Sequence, residues 1–300
     1  MTTPASTAPH LDVARRHDFV LLFDVADGNP NGDPDAGNLP RTDPETMQGL
    51  VTDVAIKRKV RDYVDLARGE EQRFKIYVQH GRYLTDTRAR VFNDRAGGRK
   101  DKDVKTDEAR DWMCDEFFDV RMFGAVMSMT EKNAGQVRGP MQLTFARSVD
   151  PITYLDEAIV GPAQNQKQSR RGDDDETDAF GTMGRKSLIP YGLYVARGFF
   201  NPNFAKATGA TSEDLDLFWN ALQMMWDHDR SSSRGLMSCR GVYVFTHEHP
   251  LGNAPAQTLF ERITVERKAS VEVARKFQDY EVRVDDASLP SGITLTRLAC

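Results

Sequence analysis

The chain has 300 residues, 39% of them hydrophobic, with a formal net charge of −5 and a pI near 5.8. This length allows one large domain or two small ones with a sizeable core. Nucleic-acid-binding proteins usually have a basic footprint, so such a function would require the cations to be concentrated on one face. No apolar run approaches the roughly 20 residues that span a bilayer, and residues 1–9 lack the apolar region of a signal peptide. We therefore expect a soluble, cytoplasmic protein with a disordered tail at residues 1–18.

The first predicted strand is the uninterrupted apolar run Phe19–Phe23, which is typical of a strand buried on both faces. A long loop over residues 24–41, rich in Asn, Gly, Pro and Asp, follows it. Thr52 or Asp53 can cap the next helix, which has an apolar stripe at the helical period. We expect this stripe to anchor the helix and the cations of its basic run, Lys57–Arg61, to face solvent.

The remaining predicted elements are mostly strands, interrupted by two long polar segments. Helices are predicted at Trp112–Phe118 and Ser212–His228. Strands are predicted at Phe74–Val78, Met141–Arg147, Ile152–Val160, Tyr191–Phe200, Val242–Phe245, Leu259–Val265, Tyr280–Val284 and Ile293–Leu298. The polar segments, residues 93–107 and 164–186, are typical of an exposed loop and of a projecting arm. This order favours an α+β fold with a ferredoxin-like core, the topology of the RNA-recognition motif, enlarged by insertions.

The three cysteines, Cys114, Cys239 and Cys300, are widely scattered and lack metal-ligand spacing. An odd number without a regular pattern is not typical of a disulfide framework. The sequence therefore predicts three free thiols, and it predicts neither a metal site nor a cofactor.

The loop over residues 24–41 admits several chemical interpretations. Its segment 27–32 matches the opening of an EF-hand loop, but position twelve is Asn38 instead of the bidentate glutamate. Its aspartates, including Asp33 and Asp35, are enough carboxylates for a magnesium-dependent phosphodiesterase, although spacing alone places no metal. Its glycines and asparagines can form turns, or they can let backbone amides approach phosphates. The neighbouring basic helix favours phosphate binding, because phosphate contacts supply most sequence-independent affinity for nucleic acid.

Several segments carry a resemblance to a known family: Gly28–Asn38, Thr52–Val54, Lys57–Lys59, Arg121–Val126, Gly135–Gln142, Ile189–Tyr194 and Arg240–Val242. They are similar to the crRNA-binding backbone subunit of type I-C CRISPR Cascade complexes, a RAMP-like family of the Csd/Csh type. The resemblance covers most of the chain apart from the N-terminal tail. It implies a single palm with a modified RNA-recognition motif over residues 19–300, with inserted fingers at about 80–135 and a thumb arm at about 162–187.

The resemblance also implies a non-catalytic function. Copies of the chain would form a helical filament along the spacer of a CRISPR RNA (crRNA), and their thumbs would kink the RNA at intervals and leave other bases free to pair. The implied partners are crRNA, target DNA through the heteroduplex, other copies of the chain, other Cascade subunits and a recruited helicase-nuclease. Two alternatives remain open: a metal-dependent ribonuclease using Asp33 or Asp35, as in related type III subunits with a loop aspartate, and a protein-binding scaffold.

The predicted RNA-binding residues combine the resemblance with the charge pattern and form two groups. Sequence-independent binding requires cations and amides directed at phosphates, with few groups that read base edges. The first group follows the loop and the basic helix: Asn29, Asn31, Arg41, Lys57, Arg58, Arg61 and, after a glycine turn, Arg138. The second group lies on the arm, where four cations would hold phosphates and two apolar side chains would wedge beside an unstacked base: Arg170, Arg171, Arg185, Lys186, Phe180 and Met183.

Overall fold

The computed structural model describes residues 8–160 and 183–300. The helices in these residues are α1 (Asp53–Arg68), α2 (Leu84–Arg95), α3 (Thr106–Glu116), α4 (Phe118–Phe123), α5 (Pro202–Thr208), α6 (Ser212–His228) and α7 (Ala256–Phe260). The strands are β1 (His17–Gly28), β2 (Gly32–Asp33), β3 (Leu39–Pro40), β4 (Gln48–Val51), β5 (Gly124–Met127), β6 (Gly135–Arg138), β7 (Met141–Leu143), β8 (Ala146–Pro151), β9 (Leu155–Val160), β10 (Met183–Phe200), β11 (Leu236–His247), β12 (Ile263–Arg267), β13 (Tyr280–Val284) and β14 (Ile293–Leu298).

A large antiparallel sheet forms the body of this mixed α/β structure. Its strand order is β14-β11-β1-β10-β8-β4, so β1 lies between the long strands β11 and β10. The pairing of β1 with β10 begins at His17 opposite Phe200 and ends at Gly28 opposite Ile189. The predicted first strand is confirmed and is longer than its apolar run, because the buried His17 and Asp18 extend the pairing to Phe200 and Phe199.

Helices α1 and α6 cover one face of this sheet. Alternate side chains of β1 point towards them, as a period of two requires. The ring of Phe23 stacks on Trp226 with centroids 4.6 Å apart, and Phe19 meets Trp219 edge to face at 5.0 Å. Helix α6 has the predicted bounds because Thr211 caps its first turn in a capping box with Asp214.

The C-terminal segment covers much of the opposite face. Val20 and Leu22 of β1 belong to a second buried cluster with Phe260 of α7 and residues of the β12–β13 hairpin. A third cluster joins Tyr191 and Leu193 of β10 to the C-terminal segment. Strand β1 is therefore buried on both faces, as its uninterrupted apolar run predicted.

A smaller unit between α1 and β7 has its own apolar core, built from α2, α3, α4 and the β5–β6 hairpin. It occupies the part of the chain predicted as fingers. A fully buried ion pair joins it to α6: the Arg121 guanidinium donates to the Asp214 carboxylate at 2.5 and 3.0 Å. Arg121 also donates to the carbonyls of Cys114 and Arg73, so its charge is fully engaged despite burial.

Several local expectations differ from the structure. The strand predicted at Leu259–Val265 begins within α7, and only its last three residues belong to β12. Phe74–Val78 is not a strand; the N–H groups of Tyr77 and Val78 donate to the buried Asp119 carboxylate instead of to a neighbouring strand. The segment predicted as an exposed loop begins within α2 and contains a short 3-10 helix at Asp101–Asp103. The predicted tail overlaps with ordered structure, since a 3-10 helix occupies Pro9–Leu11 and β1 begins within it.

The prediction of three free thiols is wrong for two of them. Cys239 and Cys300 form a disulfide with a Cα–Cα distance of 5.4 Å. The pairing of β14 with β11 brings the end of the chain beside Cys239, which the sequence separation of 61 residues concealed. Cys114 is free and buried, and burial raises the pKa of its thiol to about 11.

Candidate nucleic-acid interface

The loop after β1 is pinned to the turn that precedes β11. Gly28 lies against the backbone of Arg234, where a Cβ would stand 2.0 Å from the carbonyl oxygen, so a side chain does not fit. The Asn29 N–H donates to the carbonyl of Ser233 at 2.7 Å, and its side-chain amide donates to the carbonyl of Asn38 at 2.7 Å. Asn29 is 4% exposed, so it holds the loop closed instead of facing solvent.

The polar residues further along the loop organise the start of α1. The Asn31 side chain accepts a hydrogen bond from the Thr52 N–H at 2.9 Å, and Thr52 caps the helix. Arg41 pairs with Asp33 at 3.3 Å, and Asp33 accepts from the Asp35 N–H in a turn. Within residues 8–160 and 183–300, no group of three or more metal-ligating side chains is placed to hold an ion.

One side of α1 packs its cations around a single carboxylate. Asp229, at the end of α6, lies within salt-bridge distance of Arg58, Lys59 and Arg234. Lys59 is 1% exposed, which corrects the expectation that every cation of this helix faces solvent; the 3.6-residue period turns it into the core beside Trp226. Burial, together with Arg234 and Arg58, lowers the pKa of the Lys59 ammonium. Arg58 also pairs with Asp62, and it is more exposed than Lys59, Arg234 and Asp229.

The other side of α1 forms a second cluster around an aromatic ring. The Lys57 ammonium and the Arg61 guanidinium lie 5.7 and 5.3 Å from the centroid of Phe123. Lys57 also pairs with Asp53 at 3.1 Å. Arg61 pairs with the buried Asp119 at 2.8 Å, and their side chains are 13% and 1% exposed.

Arg138 lies on β6, beside this second cluster in the sheet pairing. It pairs with Gly124, the residue after Phe123, and its guanidinium lies 5.2 Å from the Phe204 ring. Arg138 is exposed and has no carboxylate partner among the described residues. The structure therefore places Lys57 and Arg61 in one cluster, where both pair with acids, and the backbone of Arg138 beside it; RNA binding by these residues stays a prediction.

The arm begins as an exposed hairpin. Strand β9 is exposed throughout and pairs with Met183–Leu188 of β10, so the hairpin continues a central strand of the sheet. Arg185 is 82% exposed and lies 3.4 Å from Asp156, and Lys186 is part of the same paired segment. The predicted wedge and phosphate residues Arg170, Arg171 and Phe180 lie outside the described residues.

Sequence reasoning missed two contributors to this interface. Arg234 anchors both the loop and the Asp229 cluster, and its only sequence signal is the Ser-rich basic turn before β11. Phe123 organises the second cluster, although in the sequence it looks like an ordinary apolar residue.

No helix in the described part of the chain is both long and apolar enough to cross a membrane.

The fold of this chain is similar to that of solved chains. A solved chain described as "CRISPR RNA-guided surveillance complex, pre-nicking" is similar in fold, with a TM-score of 0.50 and 13% identity over 77% of this chain and 78% of that one. Another, described as "CRISPR RNA-guided surveillance complex", has a TM-score of 0.43 and 14% identity over 77% and 68% of the two chains.

The sequence defines the family more closely. The family model of CRISPR-associated protein Cas7 matches residues 15–285, and the chain belongs to this family. A curated relative, CRISPR-associated protein Cas7 of Haloferax volcanii, is 28% identical over 231 residues, which is 69% of this chain and 64% of that protein. The match thus spans less than two thirds of the relative's length. The expected family is confirmed at the level of Cas7, and the type I-C assignment stays a prediction.

Proposed function

We propose that this chain is a non-catalytic backbone subunit of a type I-C CRISPR Cascade complex in the cytoplasm. Copies of it would assemble into a helical filament along the spacer of a crRNA, kink that RNA at intervals and present bases for pairing with target DNA. Its partners would be crRNA, target DNA through the heteroduplex, other copies of itself, other Cascade subunits and a recruited helicase-nuclease. The observation that carries this proposal is the Cas7 family match over residues 15–285.

The sheet topology supports an RNA-recognition-motif-like core. In chain order, β1, α1, β8, β10, α6 and β11 follow the βαββαβ pattern of ferredoxin-like folds. Across the sheet these strands lie in the order β11-β1-β10-β8, so the fourth strand of the pattern is followed by the first, the third and the second. Both helices lie on the same face, so the remaining strands and the C-terminal segment are additions to this core.

The charge distribution supports phosphate binding at α1 despite the net acidic composition. Lys57 and Arg61 lie over the Phe123 ring and pair with Asp53 and Asp119, and Arg138, on the strand paired with Gly124, adds one positive charge without a carboxylate partner among the described residues. Phosphate contacts at such a cluster position an RNA without reading its sequence. A subunit that binds any spacer needs this kind of contact.

The projecting hairpin supports the assignment of a thumb to this part of the chain. Its two strands leave the body as an extension of β10, which places Arg185 and Lys186 away from the main core. Filament growth requires a heterologous contact that does not close on itself, and a projecting element that reaches a neighbour provides one.

A gel-shift experiment tests the proposal directly. The purified chain is mixed with labelled single-stranded RNA of spacer length, with magnesium or with EDTA, and both shift and cleavage are scored. We expect intact RNA in stepwise, salt-sensitive complexes in both conditions. Fragments that require magnesium would instead assign the loop aspartates Asp33 and Asp35 a catalytic role. No shift at any protein concentration would contradict RNA binding by the lone chain.

A further inference from the structure

A cleft lies at the root of the arm. It has a volume of about 130 Å³ and is enclosed by residues just before β9, by the part of β10 just after the hairpin and by the C-terminal segment. Ile152 and Pro190 form part of its wall, and Tyr191 and Tyr280 contribute aromatic rings with centroids 6.2 Å apart. Sites for drug-sized ligands have roughly 300–1,000 Å³, so this cleft suits a single small group.

The interior of this root cleft has one fixed polar group. The Tyr280 hydroxyl donates to Oδ2 of Asp150 at 2.8 Å, which orients the carboxylate. The other oxygen, Oδ1, accepts no hydrogen bond from the described residues, and the Asp150 side chain is 27% exposed. A carboxylate oxygen in this position can accept from the amino group or ring N–H of a nucleobase.

The rim of the root cleft is basic. The loop over residues 267–276 carries four cations and one acid: Arg267, Lys268, Arg275, Lys276 and Glu272. Of the neighbouring carboxylates, Asp150 lies 3.9 Å from Arg267, and one oxygen of Asp279 accepts the backbone N–H groups of Arg275 and Lys276 at 2.8 and 3.1 Å. The side chains of Lys268, Arg275 and Lys276 have no salt-bridge partner among the described residues. The rim therefore favours an anionic occupant.

We propose that the root cleft accommodates one base of a bound single-stranded RNA, while the cations of the 267–276 loop hold the adjoining phosphates. This inference rests on the proposed function, since it assumes that the chain binds RNA. A narrow cleft with aromatic walls selects one planar group, and a basic rim selects phosphate; a nucleotide unit of single-stranded RNA supplies both. An anionic peptide would match the rim but brings no planar ring to fill the interior.

The position of the root cleft agrees with this occupant. Thr153 stands two residues before β9, and Pro190 stands two residues after Leu188, the last residue paired with that strand. In the proposed function, in which the arm crosses the RNA, the RNA would pass the mouth of the cleft. None of the cations at this rim belongs to the α1 cluster, so the two surfaces are separate contacts with the same strand of RNA.

Two variants of the full-length chain test the rim and the interior separately. Arg275→Ala/Lys276→Ala removes two charges, and Val273→Trp fills the mouth, where Val273 is 57% exposed and a larger side chain is tolerated. The matched control Arg283→Ala/Arg297→Ala removes two other exposed arginines. Affinity for spacer-length single-stranded RNA is measured by fluorescence anisotropy over a range of salt concentrations, with unfolding midpoints checked for each variant.

The charge variant should weaken binding and reduce the slope of log affinity against log salt by about 1.4, because each phosphate contact on single-stranded RNA contributes about 0.7. Val273→Trp should weaken binding about tenfold without changing that slope, since it blocks base insertion but keeps every charge. The control should match the wild type. Photocrosslinking of RNA that contains 4-thiouridine should label peptides from residues 150–153 or 267–280, and this does not depend on the folding of any variant.

Three results would overturn the inference, and they differ from one another. If the wild-type chain binds RNA but both variants match it and the crosslinks fall elsewhere, the root cleft is not an RNA site and the proposed function stands. If Val273→Trp keeps RNA affinity but blocks self-association, the occupant is a neighbouring copy of the chain. If the wild-type chain does not bind RNA, the proposed function fails and the inference fails with it.

Discussion

The basic run Lys57–Arg61 of helix α1 and the C-terminal loop of residues 267–276 each carry four cations, but they use them differently. On α1, each of the four lies within salt-bridge distance of a carboxylate, and Lys59 is buried. In the C-terminal loop, three cations have no such partner among the described residues, and the fourth, Arg267, lies 3.9 Å from Asp150. A dense basic run in the sequence therefore does not measure how much positive charge a surface offers. Helix α1 uses its cations to hold the loop, the fingers and α6 together.

Removing Asp229, the α6 carboxylate that pairs with cations of α1, should have the largest effect on this comparison. We expect Asp229→Asn to lower the free energy of unfolding by about 3–5 kcal/mol, because the buried Lys59 then lies beside the cations Arg58 and Arg234 without its own counter-charge. Urea denaturation of the purified variant measures this effect. The control is Asp227→Asn, which removes an exposed acid two residues away and should cost less than about 1 kcal/mol. Equal, small losses in both variants would contradict a structural role for the Asp229 cluster.

The cluster of Lys57 and Arg61 around Phe123, on the other side of α1, should show a smaller effect of the same kind. We expect Arg61→Ala to cost about 1.5–3 kcal/mol of unfolding free energy, because the buried Asp119 then keeps only the N–H groups of Tyr77 and Val78. Arg61→Lys retains a cation and should recover part of the loss. Urea denaturation of both variants checks this order of stability. A full loss with lysine would show that guanidinium packing on Phe123, rather than charge, holds the site.

A buried base without a carboxylate partner offers a further contrast. His17 is fully buried, its Nδ1 lies 3.0 Å from the Thr246 hydroxyl, and its Nε2 lies 2.9 Å from the Asp12 carbonyl. The carbonyl can only accept, so Nε2 carries the proton and Nδ1 accepts from Thr246. Burial lowers the pKa of this imidazole from 6.5 to about 4. His17 therefore stays neutral in the folded chain at pH 7, whereas the buried Lys59 lies beside a carboxylate, Asp229.

The direction of the pH effect follows from this lowered pKa. Between pH 6.5 and about 4 the unfolded chain binds a proton at His17 that the folded chain does not, so stability is complete above 6.5 and falls as the pH falls. At pH 5 the loss from this residue should be about 2 kcal/mol. Urea midpoints at pH 7 and pH 5 measure it, and His17→Gln should lose less stability between the two pH values than the wild type. Identical losses would assign the acid sensitivity to other groups.

The sequence predicted the elements of the fold better than the partners of the charges. Helix α6 has its predicted bounds because both signals are local: an apolar stripe of period 3.6 and a capping residue at Thr211. Strand β14 likewise follows a local apolar pattern. Two of the exceptions are Phe74–Val78, where a distant carboxylate, Asp119, binds the amides, and Leu259–Val265, whose first two residues lie in α7.

Partners of the site residues could not be predicted because they are distant in the sequence. Asp119 is 58 residues from Arg61, and Asp229 is 170 residues from Lys59, so no spacing in the basic run of α1 indicates either pair. Helical periodicity alone could have assigned Lys59 to the buried face, since it adjoins Val60 and lies three residues after Ile56. The root cleft needs three separated segments to meet, which only the sheet topology brings about.

The smallest expected effect tests whether α1 still contributes to RNA binding although its cations are paired. We expect Lys57→Ala to weaken binding of single-stranded RNA equally for different sequences and to reduce the salt slope by about 0.7, the contribution of one phosphate. Asp53→Asn provides the matched control: it releases Lys57 from its 3.1 Å ion pair and should strengthen binding slightly. Anisotropy titrations with two unrelated RNA sequences measure both changes. If neither variant alters the affinity or the slope, α1 is a structural helix only, and phosphate binding must lie with Arg138, the arm and the C-terminal loop.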